Sequence, residues 1–332
     1  MSDSPRTFFD SLSTHLLLSR CIAIMAEIGI ADLVAETPRT PQDLAKACAV
    51  NADALMRILR FLAANDVFQA DVGGAISNTA ISALLRRGTG SLRDQVRSSW
   101  QDVVWDTYRR LPETLRTGEP AFDKAFGMPF FDYLAAHQEI GARFDASMAL
   151  MSMPENSALA AAYPFHGTVV DVAGGRGGLI SAILLEHRDV RGVLFDQAQV
   201  LQDVAKLLVA EQLDRCRLCA GDFFASVPVD GDVYVLKRVL HDWSDADAVR
   251  ILRACGAALR TNARVLVIDA VLKPGNAPDP NKMLDVGIMA LTSGRERTAE
   301  EFQRLFDAAG LKLLRIIPPT ARSPMSIVEG SL

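Results

Sequence analysis

The sequence predicts an α/β protein with a mostly helical N-terminal part and a mostly parallel, doubly wound sheet in its C-terminal half. Three observations lead to this fold class. From residue 167 onward, strand-like apolar runs alternate with helical patterns, which is typical of a parallel sheet with crossover helices. The last two strand-like runs, residues 312–317 and 325–328, have no helix between them and are expected to pair antiparallel. Before residue 165, helical patterns prevail apart from one hairpin signal at Gly73-Gly74.

Composition and charge exclude several classes of protein. Hydrophobic residues make up 49% of the 332 residues and charged residues 23%, which is ordinary globular usage and excludes a disordered chain. The length suggests about two domains. The net charge of −5 argues against nucleic acid as the main partner, because phosphate binding requires a basic surface.

The cysteines and the apolar patterning predict the compartment. The five cysteines are odd in number and scattered along the chain, which is typical of free thiols in a reducing environment. Residues 1–13 are polar and contain no signal-peptide core. No run of ~20 apolar residues stands out, so no membrane span is expected. These observations predict a cytoplasmic protein without a membrane partner.

The first hundred residues have the element order of a winged helix. The helical and strand-like runs lie, in order, at residues 16–33, at a helix opened by Thr40-Pro41, and at residues 54–64, 67–70 and 75–78. A winged helix invites a DNA-binding interpretation, in which the protein is a regulator. However, the helix that would read DNA offers only Arg57 and Arg60 among mainly apolar residues. We therefore expect that helix to pack or to dimerise.

Residues 92–165 are again helical and rich in aromatic and methionine residues. The expected organisation is a domain at residues 1–100, a helical linker at 101–165 and a second domain at 166–332. Most of the aromatic side chains are expected in the core, and a minority is expected to wall an apolar pocket for a flat ligand. The candidates for that pocket are Phe126, Phe144, Met148, Trp243 and Met289.

The second domain carries the alternation of strands and helices. Strands are expected at residues 168–172, 190–195, 216–220, 233–240 and 264–271, and helices at 179–187, 200–211 and 245–259. Thr298 and Glu301 form a capping box before a last helix, which Gly310 ends. The antiparallel hairpin that follows distinguishes this sheet from a pure dinucleotide-binding fold.

A glycine-rich turn follows the first strand of this domain. Asp171 lies near the end of the strand, and Ala173, Gly174 and Gly175 lead into the next helix. Glycine lets the backbone approach a ligand closely, and a helix N-terminus favours an anion. The nicotinamide fingerprint G-x-G-x-x-G is not fulfilled, because its third glycine position is Ile180. The turn alone therefore indicates a ligand without identifying it.

The next two strands end in residues suited to an adenosine. Asp196 ends the second strand, where a carboxylate can accept both hydroxyls of a ribose. Gly221, Asp222 and Phe223 follow the third strand, where Phe223 can stack on an adenine and Asp222 can accept from its exocyclic amine. Because ligands bind at the carboxyl ends of such strands, the joint occurrence of these residues predicts an adenosine site.

His241 is the candidate general base. It follows the fourth strand and is the only histidine at the carboxyl end of a predicted sheet strand. An unperturbed histidine has a pKa of ~6.5 and can take a proton near neutrality. Asp269, at the end of the fifth strand, and Glu296, in a charged loop, are both candidates to orient its ring, and the residues alone do not decide between them. Each of the three also has a purely structural interpretation.

These residues, in this order, resemble the S-adenosylmethionine-dependent small-molecule O-methyltransferases, which include plant caffeic-acid-type enzymes and bacterial enzymes that modify phenazines and aromatic polyketides. The resemblance covers nearly the whole chain. It implies a Rossmann-like methyltransferase domain behind a winged-helix-like dimerisation domain, and hence a homodimer. It also implies S-adenosylmethionine as cofactor, S-adenosylhomocysteine as product and an aromatic small molecule of secondary metabolism as acceptor.

The resemblance implies roles for single residues. In that family, the turn that matches Asp171, Ala173, Gly174 and Gly175 holds the methionine part of the cofactor, and the acid that matches Asp196 binds the ribose. The residues that match Gly221, Asp222 and Phe223 hold the adenine, and the lysine that matches Lys237 also lies at the cofactor. The histidine that matches His241 is the general base, and the acids that match Asp269 and Glu296 flank it. One departure is Ala173, where the family usually has a glycine. We expect the alanine to be tolerated unless the position needs a positive φ.

The expected reaction is methyl transfer to a phenol-type hydroxyl, for which no metal is required. Two alternatives stay open. One is a relative that keeps the cofactor but oxidises or hydroxylates its ligand, against which the retention of His241 argues. The other is the winged-helix regulator with an adenosine-sensing domain, against which the apolar helix and the acidic chain argue.

Overall fold

The computed structural model of the chain describes residues 5–88, 90–99, 102–202, 204 and 214–332. The described chain forms two compact units. The first comprises Met1–Asp106 and His137–Met148, and the second comprises Thr107–Ala136 and Ala149–Leu332. The helix expected at residues 200–211 lies mostly outside the described residues.

The first unit is helical with one hairpin. Its elements are helices α1 (Pro5–Ile28), α2 (Ile30–Leu33), α3 (Pro41–Cys48), α4 (Ala52–Ala63), α5 (Ala80–Ala83) and α6 (Arg93–Ser99), and strands β1 (Phe68–Ala70) and β2 (Ile76–Asn78). The two strands pair antiparallel, as the sequence predicts. The single helix expected at residues 16–33 is two helices, because Gly29 adopts a left-handed conformation with φ 75° between them.

The capping residues explain where the short helices begin. The Thr40 hydroxyl accepts a hydrogen bond from Asp43 N, and the Asn51 side chain accepts one from Ala54 N. Apolar side chains of α1–α4 and the hairpin then form one core, with Met25, Leu44 and Phe68 among its buried members.

Helix α1 departs from the expectation of no apolar run. Its residues from Arg6 to Ile28 form a helix long and apolar enough to cross a membrane by length and composition, with a mean hydropathy of 1.2, and 17% of that stretch is buried. Core helices of soluble proteins and N-terminal signal sequences share this length and apolar composition, so α1 by itself carries no membrane assignment. Its exposed apolar side chains include Phe8, Phe9 and Leu16.

The second unit contains a seven-stranded sheet. In spatial order its strands are β10 (Lys312–Ile317), β11 (Ser326–Ser331), β7 (Arg264–Asp269), β6 (Val233–Lys237), β3 (Thr168–Val172), β4 (Arg191–Asp196) and β5 (Cys216–Ala220). The last five in this order are parallel, while β11 pairs antiparallel with both β7 and β10. The predicted α/β fold class and its closing antiparallel hairpin are therefore confirmed. We call the side where the five parallel strands begin the amino edge and the side where they end the carboxyl edge.

Helices cover the sheet and extend the unit. They are α7 (Asp102–Tyr108), α8 (Leu111–Thr117), α9 (Ala121–Phe126), α10 (Phe130–Ala136), α11 (Gln138–Ala162), α12 (Gly178–Glu186), α13 (Ala198–Leu201), α14 (Asp245–Ala258), α15 (Asn281–Leu291) and α16 (Ala299–Ala309), of which α7 and α11 also contribute residues to the first unit. The predicted capping box of Thr298 and Glu301 starts α16, and Gly310 ends it.

Alternate residues of each strand enter two different cores. Val170 and Tyr234 pack with α14 and α16 on one face, whereas Val169 and Val233 pack with α12 on the other. Because both faces of the central strands are apolar, polar groups that could meet a ligand are expected at the ends of these strands.

Two predicted strands end earlier than expected. The strand expected at residues 233–240 ends at Lys237, Arg238 has φ 54°, and Leu240–Asp242 forms a short 3-10 turn. The strand expected at residues 264–271 ends at Asp269, and Val271–Leu272 (β8) pairs instead with Arg297–Thr298 (β9). Both corrections fall at the carboxyl edge, where the chain leaves the sheet.

Candidate active site

The glycine turn lies at the carboxyl edge between β3 and α12. Ala173, Gly175 and Gly177 all have positive φ, at 56°, 58° and 77°. A Cβ on Gly174 would lie 2.6 Å from Asp171 Oδ2, so that position accepts only glycine, whereas a Cβ on Gly175 would meet no atom within 4 Å. The turn therefore presents its backbone to open space. From the sequence, Ala173 is expected to be tolerated unless its position needs a positive φ, and the structure gives it a positive φ.

Asp171 lies buried beneath this turn. Burial raises its pKa to about 7, although the nearby Lys237 and a hydrogen bond from Ile180 N oppose the rise. Among the described residues, its Oδ2 atom has no hydrogen-bond partner. A buried carboxyl oxygen without a partner, next to an open turn, is available to a ligand group that donates a hydrogen bond.

Asp196 ends β4 and is fixed against the same turn. Its Oδ2 accepts a hydrogen bond from Gly175 N at 2.8 Å, and its Oδ1 accepts one from Gln197 N at 2.7 Å. Burial raises its pKa above the usual value for aspartate. Each carboxylate oxygen can accept more than one hydrogen bond, so the group can still receive two hydroxyls of a ribose.

The residues expected at an adenine follow β5, the neighbour of β4. Gly221 N donates to Asp196 O at 3.0 Å, and a Cβ on Gly221 would lie 2.4 Å from the Phe195 ring, so glycine is required there. Asp222 is exposed, and Phe223 is half-buried with its ring 5.8 Å from that of Trp243. The predicted adenosine residues thus share one edge of the sheet.

Lys237 ends β6 and is held by helix α11. Its Nζ lies 3.3 Å from Glu155 Oε2 and donates to Asn156 Oδ1 at 2.9 Å. Burial lowers the pKa of Lys237. Glu155 also pairs with Arg238, whose Nη2 is 2.7 Å from Glu155 Oε1. The sequence does not reveal the roles of Glu155 and Asn156, and the available signal is a polar pair that directly follows Pro154 inside the helix.

His241 sits on the 3-10 turn after β6 and is buried. Its Nδ1 lies 2.8 Å from Glu296 Oε1, while its Nε2 lies 3.7 Å from Asp242 Oδ2, beyond hydrogen-bond distance. Burial alone would lower its pKa, but the carboxylates of Asp242, Asp269 and Glu296 outweigh burial and raise the pKa to about 9. Of the two candidate orienting acids, Glu296 is therefore the one that makes the hydrogen bond.

Asp269 faces the same cluster of charged groups. It is fully buried at the end of β7, and neither of its carboxyl oxygens has a hydrogen-bond partner within the described chain. Burial raises its pKa to about 7, and the positive charges of His241 and Arg297 oppose that rise. The Oε2 atom of Glu296 is likewise without a partner there. We call Asp242, Asp269 and Glu296 around His241 the acid cluster.

The sequence also does not reveal Arg297, which belongs to the same charged loop as Glu296. Its side chain is fully buried, and it donates hydrogen bonds to Leu240 O at 2.8 Å and to Trp243 O at 2.9 Å. Nothing in the pattern Gly294-Arg295-Glu296-Arg297 separates the buried arginine from its exposed neighbour Arg295.

The expected pocket residues divide between the two units. Phe126 on α9, Trp243 after His241 and Met289 on α15 belong to the second unit, in which α9 packs against α15. The Trp243 ring lies nearly parallel to that of Phe131, at 6.4 Å between centroids. Phe144 and Met148 on α11 belong to the first unit, so their part in one pocket stays a prediction.

Comparisons with known proteins match both parts of the chain. An O-methyltransferase domain matches residues 108–312, and an O-methyltransferase dimerisation domain matches residues 11–88. The phenazine O-methyltransferase PhzM of Lysobacter antibioticus is 39% identical over 327 residues, which cover 95% of this chain and 93% of that protein. The phenazine-1-carboxylate N-methyltransferase of Pseudomonas aeruginosa is 33% identical over 305 residues, which cover 90% of each chain.

Solved structures match over nearly the full length as well. The mitomycin 7-O-methyltransferase MmcR superposes with a TM-score of 0.92 at 34% identity, covering 98% of this chain and 97% of that one. The O-methyltransferase NcsB1 from neocarzinostatin biosynthesis, solved with S-adenosylmethionine and 2-hydroxy-5-methyl naphthoic acid, superposes with a TM-score of 0.85 at 31% identity, covering 95% and 96%.

Proposed function

This chain belongs to the S-adenosylmethionine-dependent O-methyltransferases, and we propose that it methylates a hydroxyl group of an aromatic small molecule with His241 as the general base. One observation carries the proposal. The buried pair of His241 Nδ1 and Glu296 Oε1, 2.8 Å apart, lies after β6 at the same carboxyl edge as the glycine turn and Asp196. A base and a nucleoside site then share one edge of the sheet.

The residues of the carboxyl edge fit the cofactor. When bound, S-adenosylmethionine supplies an electrophilic methyl group on a positively charged sulfur. The open backbone at Gly175 and the unpartnered Oδ2 of Asp171 suit the amino-acid part of the cofactor. Asp196 would accept from the ribose hydroxyls, while Gly221, Asp222 and Phe223 would hold the adenine. Lys237, Ala173 and Gly174 complete the wall of that site.

His241 would take the proton of the acceptor hydroxyl at Nε2. Glu296 fixes the ring, because a neutral histidine must donate from Nδ1 to its carboxylate and so leaves Nε2 unprotonated. The acid cluster would then stabilise the imidazolium that forms, Asp269 by charge and Glu296 by charge and hydrogen bond. General-base help of this kind is typically worth 10²–10⁴-fold, and alignment of the reacting groups contributes the remainder.

The raised pKa of His241 changes how the base works. A phenol has a pKa of ~10, so a histidine with a pKa of about 9 takes its proton with little free-energy cost. The same shift means that most His241 is protonated at neutral pH before an acceptor binds. We therefore expect kcat/KM for an ordinary phenol to rise with pH until about 9.

The acceptor is proposed to be a flat aromatic molecule such as a phenazine or an aromatic polyketide. The relatives named above act in phenazine and antibiotic chemistry, and Phe131 and Trp243 offer nearly parallel rings in the second unit. The protein is also proposed to be a homodimer, since residues 11–88 match a dimerisation domain, and to be cytoplasmic, as its five scattered cysteines predict. Light scattering at micromolar concentration should give twice the chain mass.

Methylation of nitrogen is a second candidate function. A relative at 33% identity is named a phenazine-1-carboxylate N-methyltransferase. A ring nitrogen or aromatic amine with a free lone pair has no proton that must leave before attack. His241 would then be dispensable for chemistry, which separates this candidate from the first one.

The deciding experiment is an acceptor screen. Hydroxylated and amino-substituted tricyclic and tetracyclic aromatics are incubated with S-adenosylmethionine, and products are read by mass spectrometry and by NMR of the new methyl group. We expect a product that carries the new methyl group on an oxygen of the acceptor. A methyl on nitrogen would favour the second candidate, and a product that gains oxygen instead would favour hydroxylation.

A further inference from the structure

We infer that Arg297 is a positioning residue for methyl transfer, because its guanidinium fixes the backbone turn that carries His241. The inference rests on the proposed role of His241. Arg297 is among the largest side chains that are fully buried in the described chain, with 1% of its surface exposed. A buried charge of this size is costly to desolvate, so the groups around it indicate what its placement achieves.

The contacts of Arg297 bracket His241 on both sides. Nη1 donates to Leu240 O at 2.8 Å, and Nη2 donates to Trp243 O at 2.9 Å. The residue before His241 and the second residue after it are thus tied to one planar group. A guanidinium can hold two such carbonyls in a fixed relation, whereas a lysine ammonium is a single point on a flexible stem.

Asp245 anchors the guanidinium from the solvent side. Its Oδ1 accepts from Arg297 Nε at 2.9 Å and from Nη2 at 2.8 Å, and its own side chain is 56% exposed. Asp245 also lies in the first turn of α14, which begins directly after the turn of His241. Arg297 therefore holds the turn against the first residue of α14.

The same loop fixes both the backbone and the ring of His241. A Cβ on Gly294 would lie 1.9 Å from His241 O, so the loop backbone touches the turn directly. Glu296 Oε1 orients the ring, and Arg297–Thr298 pairs in parallel with Val271–Leu272, just beyond Asp269. The loop thereby fixes the position of His241 relative to Glu296 and Asp269.

Loss of the Arg297 guanidinium should allow His241 to move away from its position beside Glu296 and Asp269. A misplacement of about 1 Å in a reacting group can cost up to about 10²-fold in rate. In Arg297→Lys the positive charge stays near the acid cluster, but a single ammonium cannot bracket the two carbonyls. We expect kcat to fall roughly 10–10²-fold for an ordinary phenol, with affinity for S-adenosylmethionine nearly unchanged.

The test compares wild type, Arg297→Lys, His241→Ala and the double variant. Each is assayed with an ordinary phenol and with an acidic phenol that is already ionised at neutral pH, and cofactor affinity is measured by calorimetry. If Arg297 acts through His241, its loss is smaller for the acidic phenol. The double variant is then no slower than His241→Ala alone, because a displaced base has nothing left to contribute.

Arg215→Lys is the matched control. Arg215 also donates to main-chain carbonyls, those of Leu184, His187, Arg188 and Val190, but it lies just before β5 at the amino edge. Its replacement should lower the thermal midpoint without changing the ratio of rates for the two phenols. Where Arg297→Lys does not fold, Asp245→Asn keeps the arginine and weakens its outer anchor, and it should show the same selective loss at smaller size.

Two results overturn the inference. Equal losses for both phenols, together with multiplying losses in the double variant, would mean that Arg297 only stabilises the fold. A His241→Ala variant that slows both phenols equally would instead remove the base itself, and with it the proposed function. The first result leaves the role of His241 intact, so the two failures are distinguishable.

Discussion

The two edges of the seven-stranded sheet treat buried charge in opposite ways. Toward the amino edge, Glu329 accepts from Tyr163 Oη at 3.0 Å and from Arg315 Nε at 2.6 Å, and it lies 3.4 Å from Arg264 Nε. At the carboxyl edge, Asp269 and Glu296 leave three carboxyl oxygens buried without partners among the described residues. Glu329 therefore has several donors around one carboxylate. In the acid cluster, by contrast, Glu296 is the acid that makes a hydrogen bond to the ring of His241 among the described residues.

The backbone shows the same contrast. Positive φ falls on Asp230 and Asn262 just before β6 and β7, and these residue types tolerate that conformation. At the carboxyl edge it falls on Ala173 and Arg238, which do not favour it. Strain and unpaired charge therefore collect where the ligand is proposed to bind, and the opposite edge supports the fold.

Among the variants that test this comparison of the two edges, the largest effect is expected from Glu296→Gln. The amide keeps the shape, but it removes the charge that favours protonated His241 and can present a donor to Nδ1. We expect kcat for an ordinary phenol to fall by about 10²-fold with little change in the thermal midpoint. A variant with a lowered thermal midpoint and an unchanged kcat would contradict the proposed difference between the two edges.

Glu329→Gln is the matched change toward the other edge. Removing the charge weakens hydrogen bonds from Arg315 and Tyr163, so the free energy of unfolding should fall by about 1.5–3 kcal/mol. The rate per folded molecule should not change. Denaturant titration and steady-state kinetics on the same preparation separate the two quantities, and a lost rate here would mean that the edges are not independent.

Asp269→Asn should change how stability depends on pH. The pKa of Asp269 is raised from 3.8 to about 7 by burial, so the wild type loses stability as pH rises through that interval, because folding then opposes ionisation. The amide does not ionise. Relative to wild type, the variant should have a higher unfolding free energy at pH 8 than at pH 4, and the difference should grow as pH rises from about 4 to about 7. The same relative stability at both pH values would contradict the assignment.

Ala173→Gly should give the smallest effect. Glycine adopts φ near 56° without strain, so the variant should gain about 1 kcal/mol in unfolding free energy. Asn262→Gly is the control, and its gain should be smaller because asparagine already tolerates this conformation. If both variants gain equally, the turn at Ala173 holds no special strain.

Much of this arrangement could be predicted because it is local. Apolar runs, Gly174 and the capping box of Thr298 mark where strands end and helices begin, and the strand ends then bring Asp196, Gly221 and Asp269 to one edge. The continuation of β6 was misplaced because Val239 and Leu240 are as apolar as a strand, although they belong to the turn of His241.

The remaining features depend on distant segments meeting. Arg297 is buried because residues 240–245 close over it, and neither segment reveals the other in sequence. The raised pKa of His241 requires Asp242, Asp269 and Glu296 to converge from three elements. The positive φ of Ala173 is invisible because alanine, unlike glycine, does not signal it.

The central claim is that His241 removes the acceptor proton within the acid cluster. The most direct measurement compares kcat of wild type and His241→Ala from pH 6 to 10, with an ordinary and an acidic phenol. The account predicts a loss of roughly 10²–10⁴-fold at neutral pH for the ordinary phenol, shrinking toward pH 10, and a smaller loss throughout for the acidic one. Equal losses for both phenols at every pH would contradict it and leave His241 a structural residue.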